Sequence, residues 1–334
     1  MKTKLILLNQ AKVLLEKCSC PYLVTHPRPD GDTIGSALAL RLALLALDKS
    51  PVVACIHPIP ATLGYLPGVD TFVHTVPQDK AIDLIVAVDM SDLKRTGGLV
   101  PESWIGRIPL LVIDHHETNE AFGDVNIVQP QAAATAMPML DLITALGVPV
   151  GEDIATCLLT GILTDTRGLR TEATTPQVLS LVSQLIEAGG DYMAVVQYAL
   201  DSVPYRQMQA WGVALNRLQL DDGIVWATFP LAEKEKFGLE DHDDLNLSNF
   251  LSRIAEAKIV IVFLEMRDGT VKISMRARPG YNVARVAKQL GGGGHRLAAG
   301  CSISGSLDEV VAQVLPMLRE EINVGQAIWP VSMT

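Results

Sequence analysis

Residues 21–47 read PYLVTHPRPDGDTIGSALALRLALLAL: a short apolar run that stops at a histidine, a loop with two prolines and a glycine, then a helix-length segment. Tyr22 to Thr25 has the length and β-rich composition of a buried strand ending at His26. Thr33 to Leu47 reads as a helix whose apolar and small residues fill most faces, with Asp32 at the N-cap position. Strand followed by helix is the opening of a parallel α/β sheet, and the pattern continues. Val52 to Ile56, Leu84 to Val88 (LIVAV) and Leu110 to Ile113 (LLVI) are further strands, the last two continuous apolar runs as expected for strands covered on both faces. Helices come next at about 135–146, 152–163, 176–188, 192–200 and 205–219. The expected fold class is α/β, with an N-terminal parallel-sheet domain over residues 1–200.

Beyond residue 220 the texture changes. Ile224 to Phe229 reads as a strand and Asp243 to Glu256 as a helix. Lys258 to Met266 and Val271 to Arg278 form a hairpin about the Asp268–Gly269 turn signal. Tyr281 to Leu290 is a helix, followed by Gly291 to Gly294, a short apolar strand, and a last helix at 307–322. Residues 201–222 are therefore read as connecting helix and linker, and 223–330 as a smaller α+β domain.

Length agrees with two domains, since 334 residues exceed what one compact core usually holds. Hydrophobic residues make up 49% and charged residues 19%, which excludes a disordered chain. Arg41 interrupts even the run from Ala37 to Leu47, so a membrane span is not expected. The start, MKTKLILLNQAKVLLEKCSC, reads as an amphipathic helix, because its apolar core is too short for a secretory leader. Five cysteines without a CxxC pair suit reduced thiols in a cytoplasmic protein. The net charge of −10 argues against tracking along nucleic acid, which needs a basic surface. A short anionic ligand fits if bound metal or a local arginine cluster supplies positive charge.

Three strands of the first domain end in residues that ligate metals. They give His26-Pro-Arg-Pro-Asp30-Gly-Asp32, Val86-Ala-Val-Asp89 and Ile113-Asp114-His115-His116, and Asp165 comes after the apolar segment Cys157 to Leu163. Ligands of open parallel sheets bind beyond the carboxyl ends of the strands, so these groups should converge. Asp32 alone would be a helix cap, Asp89 alone a cap for the segment after its strand, and a lone strand-end histidine merely hydrogen-bonded. Coincidence decides: so many carboxylates in one crevice repel each other unless cations are present, and two divalent ions remove the problem. Mixed carboxylate and imidazole donors suit Mn²⁺, with Mg²⁺ the alternative. Paired ions clamp the attacking and leaving oxygens of a phosphoryl displacement, which points to hydrolysis of a phosphate ester or anhydride.

The second domain carries Gly291-Gly292-Gly293-Gly294-His295. Successive glycines let backbone N–H groups approach an anion, with His295 as a further donor. In the strand before it, alternation puts Val271, Ile273, Met275 and Ala277 on one face and Lys272, Ser274, Arg276 and Arg278 on the other. Cations beside a glycine–histidine loop suggest an anion site.

The motifs His26-x-x-x-Asp30-x-Asp32, Asp89, Asp114-His115-His116 and Asp165, in this order and on these strand ends, resemble the DHH phosphoesterase superfamily. Asn282-Val-Ala followed by the GGGGH run resembles the C-terminal domain associated with it. Domain sizes and order are similar to the nanoRNase / pAp-phosphatase subgroup. The resemblance implies that His26 and Asp30 bind one metal, that Asp32, His115 and Asp165 bind the other, and that Asp89 bridges them. It implies a substrate-phosphate role for His116, and nucleotide binding by Ser274, Arg276, Arg278, Gly292, Gly293, Gly294 and His295. The expected substrates are short RNA or DNA oligonucleotides or small nucleotides such as 3′-phosphoadenosine 5′-phosphate (pAp), cleaved to nucleoside 5′-monophosphates. Alternatives are a phosphodiesterase for cyclic or linear dinucleotides and, in another class, a catalytically silent nucleotide sensor. Departures from the family pattern are Arg167 where glycine is common after Thr-Asp-Thr, Ala277 in place of a serine, and Met137 in place of a glutamate. None of these removes an expected metal ligand.

Overall fold

The computed structural model of the chain describes residues 2–239 and 245–328. Its contacts separate it into two units, Met1–Ser202 and Val203–Thr334. Among the described residues no helix is long and apolar enough to cross a membrane.

The first unit runs α1 (Lys2–Lys17), β1 (Pro21–Thr25), α2 (Gly31–Leu45), β2 (Val52–Ala54), β3 (Leu84–Val88), β4 (Leu110–Asp114), β5 (Val125–Val128), α3 (Ala136–Ala145), α4 (Glu152–Asp165), α5 (Pro176–Glu187) and the single turn α6 (Tyr192–Ala194). The segment Val195–Leu200, expected as ordinary helix, continues α6 with π-helical bonding. The sheet is parallel throughout, in the order β2-β1-β3-β4-β5. Its fifth strand carries little signal in the sequence, because Asn126 divides a run of four in which only Ile127 is buried.

Alternation along the central strands gives the sheet two apolar faces. Leu84, Val86, Val88, Leu111 and Ile113 join the larger core with Ile34, Leu38 and Leu158 from the helices. Ile85, Ala87, Leu110 and Val112 join a second cluster, against which Trp104, Ile108 and Phe122 pack. This is why LIVAV and LLVI lack a polar side. Because β1, β3 and β4 are neighbours, their carboxyl ends lie about 5 Å from one to the next. The residues His26, Asp89 and Asp114 to His116 leave the sheet along that edge.

Asp30, and not Asp32, caps α2: its Oδ1 accepts from the Thr33 N–H at 3.0 Å, and its backbone is extended. Helix α2 therefore starts at Gly31, and Asp32 sits in its first turn with its side chain turned inward, only 1% exposed. Gly31 answers to crowding, since a Cβ there would meet the Thr164 side chain of α4, with Oγ1 at 2.5 Å.

The second unit runs α7 (Tyr205–Leu215), β6 (Gln219–Asp221), β7 (Ile224–Phe229), α8 (Leu231–Lys236), α9 (Leu247–Leu251), β8 (Ile259–Glu265), β9 (Thr270–Ala277), α10 (Val283–Gln289), β10 (Gly293–His295), β11 (Ala298–Ser304) and α11 (Leu307–Ile328). These strands form a mixed sheet ordered β10-β11-β9-β8-β7-β6, in which only the β7–β8 pair is parallel. The helix expected at 243–256 is confined to α9 among the described residues; its first two residues lie outside them. Residues 201–222, read as connecting helix and linker, supply α7 and also the edge strand β6. The glycine run, expected as a loop, ends in β10, which pairs antiparallel with β11.

Candidate metal centre

Six side chains expected to ligate metal meet at the carboxyl edge of the first sheet. His26, Asp30 and Asp89 each offer a ligand atom within 4.8 Å of the others, and so do Asp32, His115 and Asp165. Asp89, His115 and His116 make a third, overlapping set. Asp89 lies between the first two: its Oδ2 is 3.5 Å from His26 Nε2, and its Oδ1 is 3.8 Å from His115 Nε2. It follows β3 directly, in the left-handed backbone region at φ 60°, a conformation that costs a non-glycine residue about 1–3 kcal/mol and clusters at functional sites.

Asp32 and His115 are each held by identifiable partners. Asp32 accepts from the first N–H groups of α3, from Thr135 at 2.6 Å and Ala136 at 2.9 Å, where a helix end favours negative charge. Ser36 Oγ, one turn along α2, donates to its Oδ1. His115 Nδ1 lies 3.2 Å from the Ala132 carbonyl. A carbonyl only accepts, so Nδ1 carries the hydrogen and the Nε2 lone pair faces Asp165 Oδ2, 3.3 Å away.

His116 differs. Its Nδ1–H donates to Asp114 Oδ1 at 2.7 Å, and this bond, with the nearby Asp89 charge, pushes its pKa up to about 9 against the opposing effect of burial. Asp114 itself enters none of the three sets. It is fully buried and accepts from the backbone N–H of His115 and from Asn119 Nδ2.

The electrostatics test whether cations fit. Burial, followed by the charges of Asp89 and Asp165, lifts Asp32 well above the ordinary carboxylate range. Burial, followed by Asp89 and Asp30, pushes Asp165 up to about 8. Asp89 goes the other way: burial would raise it, but His26, by hydrogen bond and charge, then His116 and His115, hold it low. A site that raises two of its own carboxylates, one of them to about 8, is short of positive charge. Divalent ions among oxygen and imidazole donors supply that charge.

In the second unit, paired residues of antiparallel strands share a face. Arg276 pairs with Ala298, and Ala298 with His295; Ser274 pairs with Gly300, and Gly300 with Gly293. Arg276, Ser274, His295 and Gly293 thus lie on one face of the sheet, separated only by small residues. Val271, Ile273 and Met275 are buried on the opposite face. Arg276 Nε donates to Asn249 Oδ1 of α9 at 2.7 Å. Arg278, beyond the strand end, is exposed and donates to the Ile254 carbonyl. Gly292 backs onto Gly300 and Cys301, whereas Gly294 and His295 are exposed. Asn249, like Thr33 and Thr135 in the first unit, belongs to no motif in the sequence and emerges only from these contacts.

The chain matches the DHH family, N-terminal domain, over residues 22–162 and the DHHA1 domain over residues 232–323. It is 37% identical over 303 residues to the bifunctional oligoribonuclease and PAP phosphatase NrnA of Thermus thermophilus, covering 90% of each chain. The crystal structure of an exopolyphosphatase-related protein from Bacteroides fragilis shares the fold, with a TM-score of 0.87 at 23% identity over 96% of this chain and 98% of that one. RecJ from Thermus thermophilus in complex with Mn²⁺ shares it more distantly, with a TM-score of 0.55 at 18% identity over 97% of this chain and 55% of that one.

Proposed function

This chain belongs to the DHH family of phosphoesterases, and we propose that it hydrolyses short oligoribonucleotides and pAp to nucleoside 5′-monophosphates with the help of two divalent cations. The observation that carries the reading is Asp89, whose two oxygens face two different sets of ligand atoms. His26 and Asp30 would hold one cation and Asp32, His115 and Asp165 the other, with Asp89 shared. Bound there, the ions supply Lewis-acid polarisation of the phosphate and an acidified water. Mn²⁺ suits the donor set best, with Mg²⁺ second; the Mn²⁺ complex of RecJ supports the choice.

The protein's own groups do the remainder. His116, with Nδ1 fixed on Asp114, keeps Nε2 for the substrate, and its raised pKa keeps it cationic at neutral pH. It contributes positive charge to the phosphate and a proton toward the leaving oxygen. Residues 223–330 act as the nucleotide-binding domain, with Ser274, Arg276, Arg278, Gly292, Gly293, Gly294 and His295 taking the non-scissile part of the substrate. Arginine suits that task because its planar fork matches phosphate oxygens. The substrate class is taken from the Thermus relative, named for oligoribonuclease and PAP phosphatase activities. A cytoplasmic setting suits five cysteines that are all free thiols.

Incubating the Mn²⁺-loaded protein in parallel with pAp, a ribodinucleotide, cyclic-di-AMP and pyrophosphate tests the reading. Turnover of pAp and the dinucleotide is expected. Preference for the cyclic substrate would replace this reading with a cyclic-dinucleotide phosphodiesterase, and binding without turnover of any of them would make the chain a nucleotide sensor.

A further inference from the structure

Thr33 and Thr135 are both fully buried, and their hydroxyls meet on one carboxylate, one on each oxygen. Thr33 Oγ1, in the first turn of α2, donates to Asp89 Oδ2 at 2.5 Å and accepts from His26 Nε2 on its other side. Thr135 Oγ1, at the start of α3, donates to Asp89 Oδ1 at 2.8 Å. A threonine preceding a helix normally spends its hydroxyl on the helix's own free N–H groups. Thr135 does not: its side chain makes no capping bond, and its backbone is already helical at φ −61°, ψ −25°. The same residue donates its backbone N–H to Asp32.

A carboxylate on a strand end can rotate about its Cβ–Cγ bond, a broad torsion with little intrinsic preference. For Asp89 that freedom matters, because its Oδ2 faces the His26 set and its Oδ1 faces the His115 set. One hydroxyl on each oxygen removes it.

We propose that Thr33 and Thr135 are positioning residues, which lock the Asp89 carboxylate in the one rotation that offers an oxygen to each ligand set. The inference rests on the two-cation reading above. Groups that orient a metal ligand typically change affinity by about 10–100-fold when removed. The two threonines also divide the work: Thr33 secures the oxygen facing His26, and Thr135 the oxygen facing His115.

The test is equilibrium Mn²⁺ binding by titration calorimetry, with EPR of the loaded protein, on the full chain and on Thr33→Val, Thr135→Val and the two serine variants. Circular dichroism in chelator checks the fold. Wild-type protein is expected to bind two ions with a spin-coupled EPR signature. Each valine variant should bind at least one ion about tenfold or more weakly and lose the coupled signature. Each serine variant, with its hydroxyl kept, should restore both. If a valine variant does not fold, Thr→Cys at that position, similar in volume but a weak donor, takes its place with the same expectation. Valine or cysteine variants with wild-type affinity and coupling would overturn the positioning role alone. Wild-type protein binding fewer than two ions would overturn the two-cation reading, and this inference with it.

Discussion

Asp114 holds His116 by a short bond from Nδ1–H to Oδ1, 2.7 Å long, while the backbone N–H groups of both histidines of the triplet point at the same oxygen. The first residue of the Asp-His-His motif is thus an anchor for the third. Asp114→Asn removes the charge that keeps the His116 pKa up at about 9. The imidazolium is then lost at lower pH, so the alkaline limb of the rate profile should move toward neutrality. We expect turnover to fall by about 10²-fold, the lower range for a lost proton donor, with Mn²⁺ stoichiometry unchanged. A pH–rate profile of the variant checks this; an unmoved alkaline limb would show that His116 is no acid in the reaction.

Asp89 is the residue whose loss should reach furthest, because its Oδ2 faces His26 and its Oδ1 faces His115. Asp89→Ala should reduce turnover of every phosphate ester to a small fraction and cost at least one bound ion. Parallel activity and Mn²⁺-binding measurements check the two effects together. Retained activity with a lost ion would mean that one cation suffices.

Gly161 gives a test of packing under the site. A Cβ there would sit 2.6 Å from Asp32 Oδ1 and 2.8 Å from the Ala136 side chain. Gly161→Ala should therefore push Asp32 off the start of α3, destabilise the fold by about 1–3 kcal/mol as overpacking does, and weaken metal binding. Gly212, on the exposed side of helix α7 with open space where a Cβ would stand, is the counterpart. Gly212→Ala should stabilise by about 0.5–1 kcal/mol. Chemical denaturation of both variants checks the opposite signs.

How much of this is legible in the amino-acid sequence depends on the range of the interactions involved. The buried strands are legible because LIVAV and LLVI have apolar residues for two faces, and parallel neighbours bring their ends together whatever the loops do. The cap of α2 is ambiguous in sequence because Asp30 and Asp32 both stand beside the helix start, and only the Thr33 N–H at 3.0 Å from Asp30 separates them. Asp32 instead answers to Thr135, more than a hundred residues away. Thr33 and Thr135 are invisible for the same reason: each looks like an ordinary helix-start threonine, and the acceptor of each is a distant strand end. The glycine run resembles a loop because its pairing with β11 depends on tertiary register, which composition does not carry.

The charge shortage of the metal centre predicts how stability depends on pH. Asp165 is pushed up to about 8 by burial and the carboxylates of Asp89 and Asp30, and Asp32 is also raised. Unfolded, both would titrate near about 4. Between these values the native state binds more protons than the unfolded chain, so its stability falls as pH rises, from about 4 up to about 8. His116 acts in the same direction: raised to about 9, it contributes stability below its unfolded value of about 6.5, which is lost as pH rises through 9. Asp89 acts oppositely, but its depressed value confines its effect to acid, where the stability it contributes is lost as pH falls below about 4. In chelator, the melting temperature should therefore drop between about pH 5.5 and pH 8. Mn²⁺ displaces the same protons, so the stabilisation it gives should grow over that interval, and calorimetry in buffers of different ionisation enthalpy should register proton release on binding. A melting temperature in chelator that stays level or rises, together with Mn²⁺ binding that releases no proton, would mean these carboxylates are already ionised without metal.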